Sequence, residues 1–341
     1  MRFVFGQREF LVVLFVLLAL LPTVSNPYTL FVGNLIMIYI ILAIGLNLLI
    51  GYAGQLALAN AAMFGIGTYG TALLQVKLGW PYVLAAPGGV VVAIAIGSLI
   101  AFPALRLGGI YLALTTLAFA EFTRWVLLHW NSVTFGAGGF ETPNLDLSPL
   151  PIGPDQAIYY LSLIVCALMI VFGMRVVRSR VGRSFVAIRD GEVAAQALGI
   201  SLLRYKTMAF ALSAFYAGVA GALYSPLLGY VSPEGFNLFQ MVIHKSMVVV
   251  GGMASIVGSV IGATVMLGVL EALREFKSTQ EIVFGAILII FVVFRPHGLV
   301  SFLKRFRGWE EPVNAVDLRR MLLKGVSARP GRESPKSAAG E

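Results

Sequence analysis

The feature that most constrains this chain is a succession of apolar runs, each about as long as a bilayer is thick. Tyr28–Ile50 is nearly free of charge, and Val83–Phe102, Ile110–Trp130, Gln156–Met174, Met208–Tyr230 and Ile256–Leu273 repeat the pattern. A helix needs ~20 apolar residues to cross the hydrocarbon. Only 12% of the residues are charged and 58% are hydrophobic, about half the charge of an ordinary soluble domain. The expected fold is therefore an all-α integral membrane protein, one polytopic bundle of about ten transmembrane helices, rather than two soluble domains. Residues 1–307 form the membrane domain. Residues 308–341 are polar, with too little apolar content for a core, and read as a disordered cytoplasmic tail.

Several stretches are less regular. Phe10–Leu21 follows Arg2 and Arg8 and reads either as a retained first helix or as a cleaved signal, closed only by the weak site Thr23-Val24-Ser25. Gly51-Tyr52-Ala53-Gly54-Gln55, leading to Asn60, places two glycines and two amides between apolar flanks. This predicts an interrupted helix near residues 51–60, a backbone tolerated at membrane depth only if buried or lining a wet cavity. Gly65, Gly67 and Gly70 then allow close helix approach. Phe236–Gly252 carries His244 and Lys245 mid-run and reads as re-entrant or spanning. Spanning is preferred, because it puts Arg295, Lys304, Arg305 and Arg307 inside, as does a count of ten spans with both termini cytoplasmic.

Orientation is set by Arg175–Lys206, which holds seven Arg or Lys against two acids. The loop Asn131–Asp155 has three acids and no Lys or Arg, and so belongs outside. A net charge of +9 might indicate nucleic acid, but the cations cluster at segment ends and in the tail, where anionic lipid accounts for them. Within the basic interval, GRSFVAIR is amphipathic. EVAAQAL reads as a short helix with Asp190 as N-cap, Glu192 in its first turn and Gly199 as a left-handed C-cap. Two small helices at the cytoplasmic surface read as a docking element.

Catalytic signatures are missing. There is no GxxxxGK[ST] phosphate loop. His129, His244 and His297 are far apart with no metal spacing, and the single Cys166 permits no intrachain disulfide. Ionisable groups within spans are functional candidates because burying them is costly. Glu121 and Arg124, three residues apart, share a helix face; Glu271 and Arg274 close a helix near the outer surface. Asn47, Gly51, Gly54, Gln55, Asn60 and Glu121 form the candidate translocation path. Half-helix ends of this kind hold polar substrates in transporters, although interhelical hydrogen bonds explain each amide equally well. A proton-driven carrier would place more carboxylates deep in the bundle.

GLNLLIGYAGQLALANAAMFGIGTYGTALL, GIYLALTTLAFAEFTRWV, GRSFVAIRDGEVAAQALGI, VVVGGMASIVGSVIGA and FRPHGLV, in this order, resemble branched-chain amino acid ABC transporter permeases over about Gly45 to Val300. The resemblance implies a permease subunit of a binding-protein-dependent importer in the cell inner membrane. Its partners would be a second homologous permease, two cytoplasmic ATPases carrying ATP and magnesium, and an extracytoplasmic binding protein. The chain itself would bind no cofactor and hydrolyse nothing. The solutes implied are leucine, isoleucine and valine, with urea, short amides or other amino acids as alternatives; a stand-alone secondary carrier or an intramembrane enzyme remains a reading of another class. The resemblance places ATPase contacts at Gly182, Arg183, Arg189, Asp190 and Glu192, with Gly199 closing the docking helix.

Overall fold

The computed structural model describes residues 22, 26–104, 107, 109–143, 153–274, 280–294 and 298–299. The first apolar segment, the cations at 295 and 304–307, and the 308–341 tail lie outside them.

The elements are α1 (Pro27–Asn47), α2 (Asn60–Leu78), α3 (Tyr82–Ala104), α4 (Ile110–His129), α5 (Pro154–Arg178), α6 (Arg180–Asp190), α7 (Glu192–Ala197), α8 (Leu202–Leu228), α9 (Leu238–Gly251), α10 (Ile256–Ala272) and α11 (Gln280–Phe294). The only strands among the described residues, β1 (Phe140–Glu141) and β2 (Tyr230–Val231), pair antiparallel with Phe140 opposite Val231. Among the described residues five helices are long and apolar enough to cross a membrane, and α9, α10 and α11 are shorter apolar helices. The chain is a multi-pass, all-helical membrane protein.

α1 and α8 form its centre. In α1 with its extension to Tyr52, 83% of the apolar window is buried, against 28% in α4, so α4 offers its apolar face outward. Close approach comes from small residues. A Cβ on Gly67 of α2 would lie 2.7 Å from Gly218 Cα of α8, and one on Gly70 would lie 3.1 Å from Gly89 Cα of α3. The backbones themselves are in contact, as van der Waals packing in lipid favours. The glycines of α9 and α10 do the same: a Cβ on Gly251 would sit 2.0 Å from the Gly258 carbonyl.

Pro226 lies inside α8 and has no N–H for the Ala222 carbonyl one turn earlier. The Tyr82 hydroxyl donates to that carbonyl instead, at 3.1 Å. A side chain from α3 thus restores the bond that the proline removes, as the bilayer interior demands.

Phe236–Gly252 does not form the full-length helix expected. α9 has 14 residues, about 21 Å at 1.5 Å per residue, less than a hydrocarbon core of ~30 Å. It begins after a 3₁₀ turn, Pro233–Phe236, whose Phe236 ring is buried against Phe64 and Tyr69 of α2. Pro233 and the buried Phe236 ring fix the chain there, and the helix starts only at Leu238.

Candidate functional site

The blocks of sequence singled out above converge at one end of the bundle. α1 passes directly into a π-helical turn, Leu48–Tyr52, and the backbone is irregular from Ala53 to Ala59 before α2 begins. The interruption expected near residues 51–60 is present. Its polar backbone is satisfied locally and by neighbours. Ala53 N–H donates to Leu48 O at 3.1 Å, Gln55 N–H to Leu49 O at 3.0 Å, and the buried Gln55 side chain to Ala53 O at 3.1 Å. The Leu58 N–H donates to Thr116 Oγ1 of α4 at 2.8 Å. Such closure is the condition for non-helical backbone at membrane depth.

Asn47, fully buried, is the hub of the junction. Its Nδ2 donates to Ser259 Oγ and Ser255 O, both at 2.8 Å, and its Oδ1 accepts from Ala254 N–H at 2.8 Å. The end of α1 is thereby tied to the turn between α9 and α10. Gly51 makes room for this, since a Cβ there would fall 1.9 Å from Asn47 Oδ1. Leu299 N–H donates to Val250 O at 2.8 Å, bringing Gly298 and Leu299 to the same turn. Ala254 holds φ +57°, a left-handed conformation unusual without glycine.

The basic interval meets the junction from outside the bundle. α6 is capped by Ser179, whose Oγ accepts from Val181 N–H at 3.1 Å. It buries Gly182, Ser184, Phe185 and Ile188; a Cβ on Gly182 would meet Val177 O at 2.2 Å, so glycine lets α6 fold tightly back on α5. Arg189, at its far end, donates from Nη1 to Gly51 O at 3.0 Å. Its stem lies on Gly54, where a Cβ would be 2.7 Å from Arg189 Cγ, and Gly54 itself holds φ +67°. A guanidinium on the last carbonyls of a broken helix is favourable both as a hydrogen bond and against the negative helix end. Asp190 Oδ1 accepts from Arg189 Nε at 3.1 Å and orients the fork.

Asp190 is therefore not the N-cap of α7. It ends α6, and Gly191, with no capping side chain, precedes Glu192; the carboxylate is taken by Arg189. Glu192 instead pairs with the buried Lys206 at 2.7 Å, fastening α7 to the start of α8. The other end matches expectation. Gly199 has φ +81°, its N–H donates to Gln196 O and Ile200 N–H to Ala195 O, each at 3.0 Å, the paired bonds of a Schellman motif.

Arg183 is exposed and donates to Arg178 O at 3.2 Å. Val193 on α7 is 83% exposed, and Leu198, its C-cap, is 79% exposed. Sequence reasoning missed these two, because an apolar residue on a six-residue helix has no periodicity to betray it. α6–α7 thus has an inner contact on the broken helix and two exposed apolar side chains, Val193 and Leu198.

The other path candidates separate. Both amide atoms of the buried Asn60 lack partners among the described residues, and they line a cavity of about 20 Å³, room for roughly one water. Glu121 and Arg124 pair at 3.5 Å on α4, with side chains 47% and 37% exposed. Among the described residues they make no hydrogen bond to the junction. At the opposite end Tyr28, Glu271 and Arg274 bond to one another. A cavity of about 1020 Å³ has almost wholly apolar walls, mainly from α3, α5 and α8, and suits hydrocarbon. No metal-ligating cluster occurs among the described residues.

Residues 28–292 match the family described as "Branched-chain amino acid transport system / permease component". The high-affinity branched-chain amino acid transport system permease protein LivM of Escherichia coli K12 is 33% identical over 86% of this chain and 75% of its own. The corresponding LivH protein of the same organism is 28% identical over 77% of this chain and 91% of its own. A probable LivM permease of Methanocaldococcus jannaschii is 21% identical over 68% and 70%. No solved structure matches. The matched span covers the broken helix, the α9–α10 turn and α6–α7 together, and the chain belongs to the branched-chain amino acid transport system permease family.

Proposed function

We propose that this chain is the membrane-spanning subunit of an ATP-driven importer of branched-chain amino acids. In this reading it pairs with a second, homologous permease in the cell inner membrane and receives solute from an extracytoplasmic binding protein. Two cytoplasmic ATPases, which hold the ATP and magnesium, dock on α6–α7. Both termini face the cytoplasm. The likeness to two differently named permeases, LivM and LivH, supports the pairing.

The observation that carries the reading is the two-faced α6–α7 unit. It leaves Arg183, Val193 and Leu198 exposed, charged and apolar side chains of the kinds that a docked partner covers. Its inner side holds the broken helix through Arg189. Movement of a docked ATPase would pull on α6 and, through Arg189, on the Ala53–Ala59 segment, which joins α1 to α2.

Co-purification and reconstitution test this. Val193→Glu and Leu198→Glu abolish retention of the ATPase subunits while the chain still inserts, and charge reversal at Arg183 or Asp190 separates ATP hydrolysis from uptake. Undiminished ATPase retention with both glutamates present contradicts the docking surface. Uptake by this chain alone, driven by an ion gradient, contradicts the importer reading altogether.

A further inference from the structure

α4 has two faces. Leu112, Thr116, Ala120, Thr123 and Leu127 are buried against the bundle, and Thr116 Oγ1 accepts from the Leu58 N–H of the broken segment at 2.8 Å. On the other side Tyr111, Leu114, Ala118, Glu121 and Trp125 are all exposed. They recur at intervals of three and four residues, the repeat of a helix packed side by side with another. Apolar groups alone fit lipid as well as protein.

Glu121 and Arg124 decide between the two. α4 has 20 residues, about 30 Å at 1.5 Å each. Glu121 therefore stands about 16 Å from one end and about 12 Å from the other, near the middle of a ~30 Å hydrocarbon core. Arg124 is held to Glu121 at 3.5 Å, one turn farther from the nearer end, and so does not snorkel out of the bilayer. An ion pair open to hydrocarbon lacks the hydrogen bonds that its remaining oxygens and N–H groups need. Ionisable groups within spans accordingly face protein or a wet cavity, and the helix-packing repeat selects protein.

We infer that the stripe from Tyr111 to Trp125 of α4 is the intramembrane contact with the second permease subunit, one helix of which lies along Ala118 and supplies polar groups to the Glu121–Arg124 pair. The inference rests on the importer reading and deepens it: of the partners in that reading, only the second permease lies within the bilayer, at the depth of Glu121. Ala118, one turn from Glu121, gives the close approach on which helix packing in lipid depends. The contact also bears on movement. Thr116, on the buried face of the same helix, holds the broken segment whose start Arg189 bonds at Gly51. α4 thus joins the docking helices of this chain to its partner.

The test uses the purified complete importer in proteoliposomes. Leu114→p-benzoylphenylalanine, on illumination, joins this chain to the second permease, identified by mass spectrometry of the product. Adducts with lipid alone, with residues 10–21 of the same chain or with another copy of this chain overturn the inference, as does the absence of any adduct. Ala118→Trp fills the space for the partner helix. On a lipid-facing surface this change is silent; at a packed contact it lowers the amount of second permease retained with this chain about tenfold, while the variant alone inserts and stays monodisperse. Undiminished retention in Ala118→Trp overturns the contact. If Ala118→Trp does not insert, the photoproduct at Leu114 decides alone. A wild-type chain that retains no second permease is a different result and strikes the importer reading instead.

Discussion

At the residue scale, Asn47 and Arg189 show how little of a junction is local. Asn47 satisfies groups more than 200 positions away, with a separation of 208 to Ser255. Replacing it by Ala leaves the partly buried Ala254 N–H without its partner, while the Ser255 carbonyl keeps the Ser259 N–H. An unsatisfied group of this kind costs about 1–3 kcal/mol, so Asn47→Ala lowers the thermal midpoint of the detergent-solubilised protein by several degrees. Gly51→Ala does the same from the other side, by clashing with the Asn47 carboxamide. A midpoint unchanged in both variants contradicts the hub. These partners were not legible in the sequence: the amide beside a predicted break was visible, but which distant turn it would hold was not. Arg189 was visible only as one of many cations that favour the cytoplasm. That it turns inward onto Gly51, 138 residues away, depends on Gly54 clearing space for its stem.

At the element scale, local pattern was the better guide. The helix breaks at the Gly-Gln stretch because two glycines and a π turn exhaust the regular bonding, and α7 ends at Gly199 because its Schellman bonds need a left-handed residue. The failures share one cause. Asp190 looked like a cap, yet a neighbouring Arg outbid the backbone N–H for its carboxylate. Phe236–Gly252 looked like one continuous helix, yet Pro233 and the buried Phe236 delay its start to Leu238. Pro226 in α8 could be seen, but not its remedy in Tyr82. That remedy makes a cycle. Tyr82→Phe orphans the Ala222 carbonyl and costs about 1–3 kcal/mol. In a Pro226→Ala background the helix supplies its own donor, so the same change costs little, and the coupling appears in a double-mutant cycle of unfolding midpoints. Additive effects contradict the assignment.

At the scale of the whole molecule, the apolar runs foretold a helical membrane bundle, and small residues at α2–α3–α8 set how tightly it closes. Gly67→Leu forces apart backbones that now touch, and reduces the yield of folded, monodisperse protein; normal yield contradicts the close-packed centre. Orientation follows from charge: single cysteines at Ser201 and Ser132, in a Cys166→Ser background, react with impermeant maleimide from the cytoplasmic and the external side respectively. Reversed accessibility contradicts the placement of α6–α7.

The account's central claim is that the docking helices act on the broken helix through Arg189. The most direct measurement is the number of ATP molecules hydrolysed per leucine imported by the reconstituted complex, in wild type, Arg189→Lys and Arg189→Ala. Lys can make one bond but not the planar fork shared between Gly51 and Asp190, so the ratio rises modestly in Arg189→Lys. In Arg189→Ala it rises roughly tenfold or more, as loss of a charged hydrogen bond implies, with the ATPases still bound. A wild-type ratio in Arg189→Ala would contradict the claim.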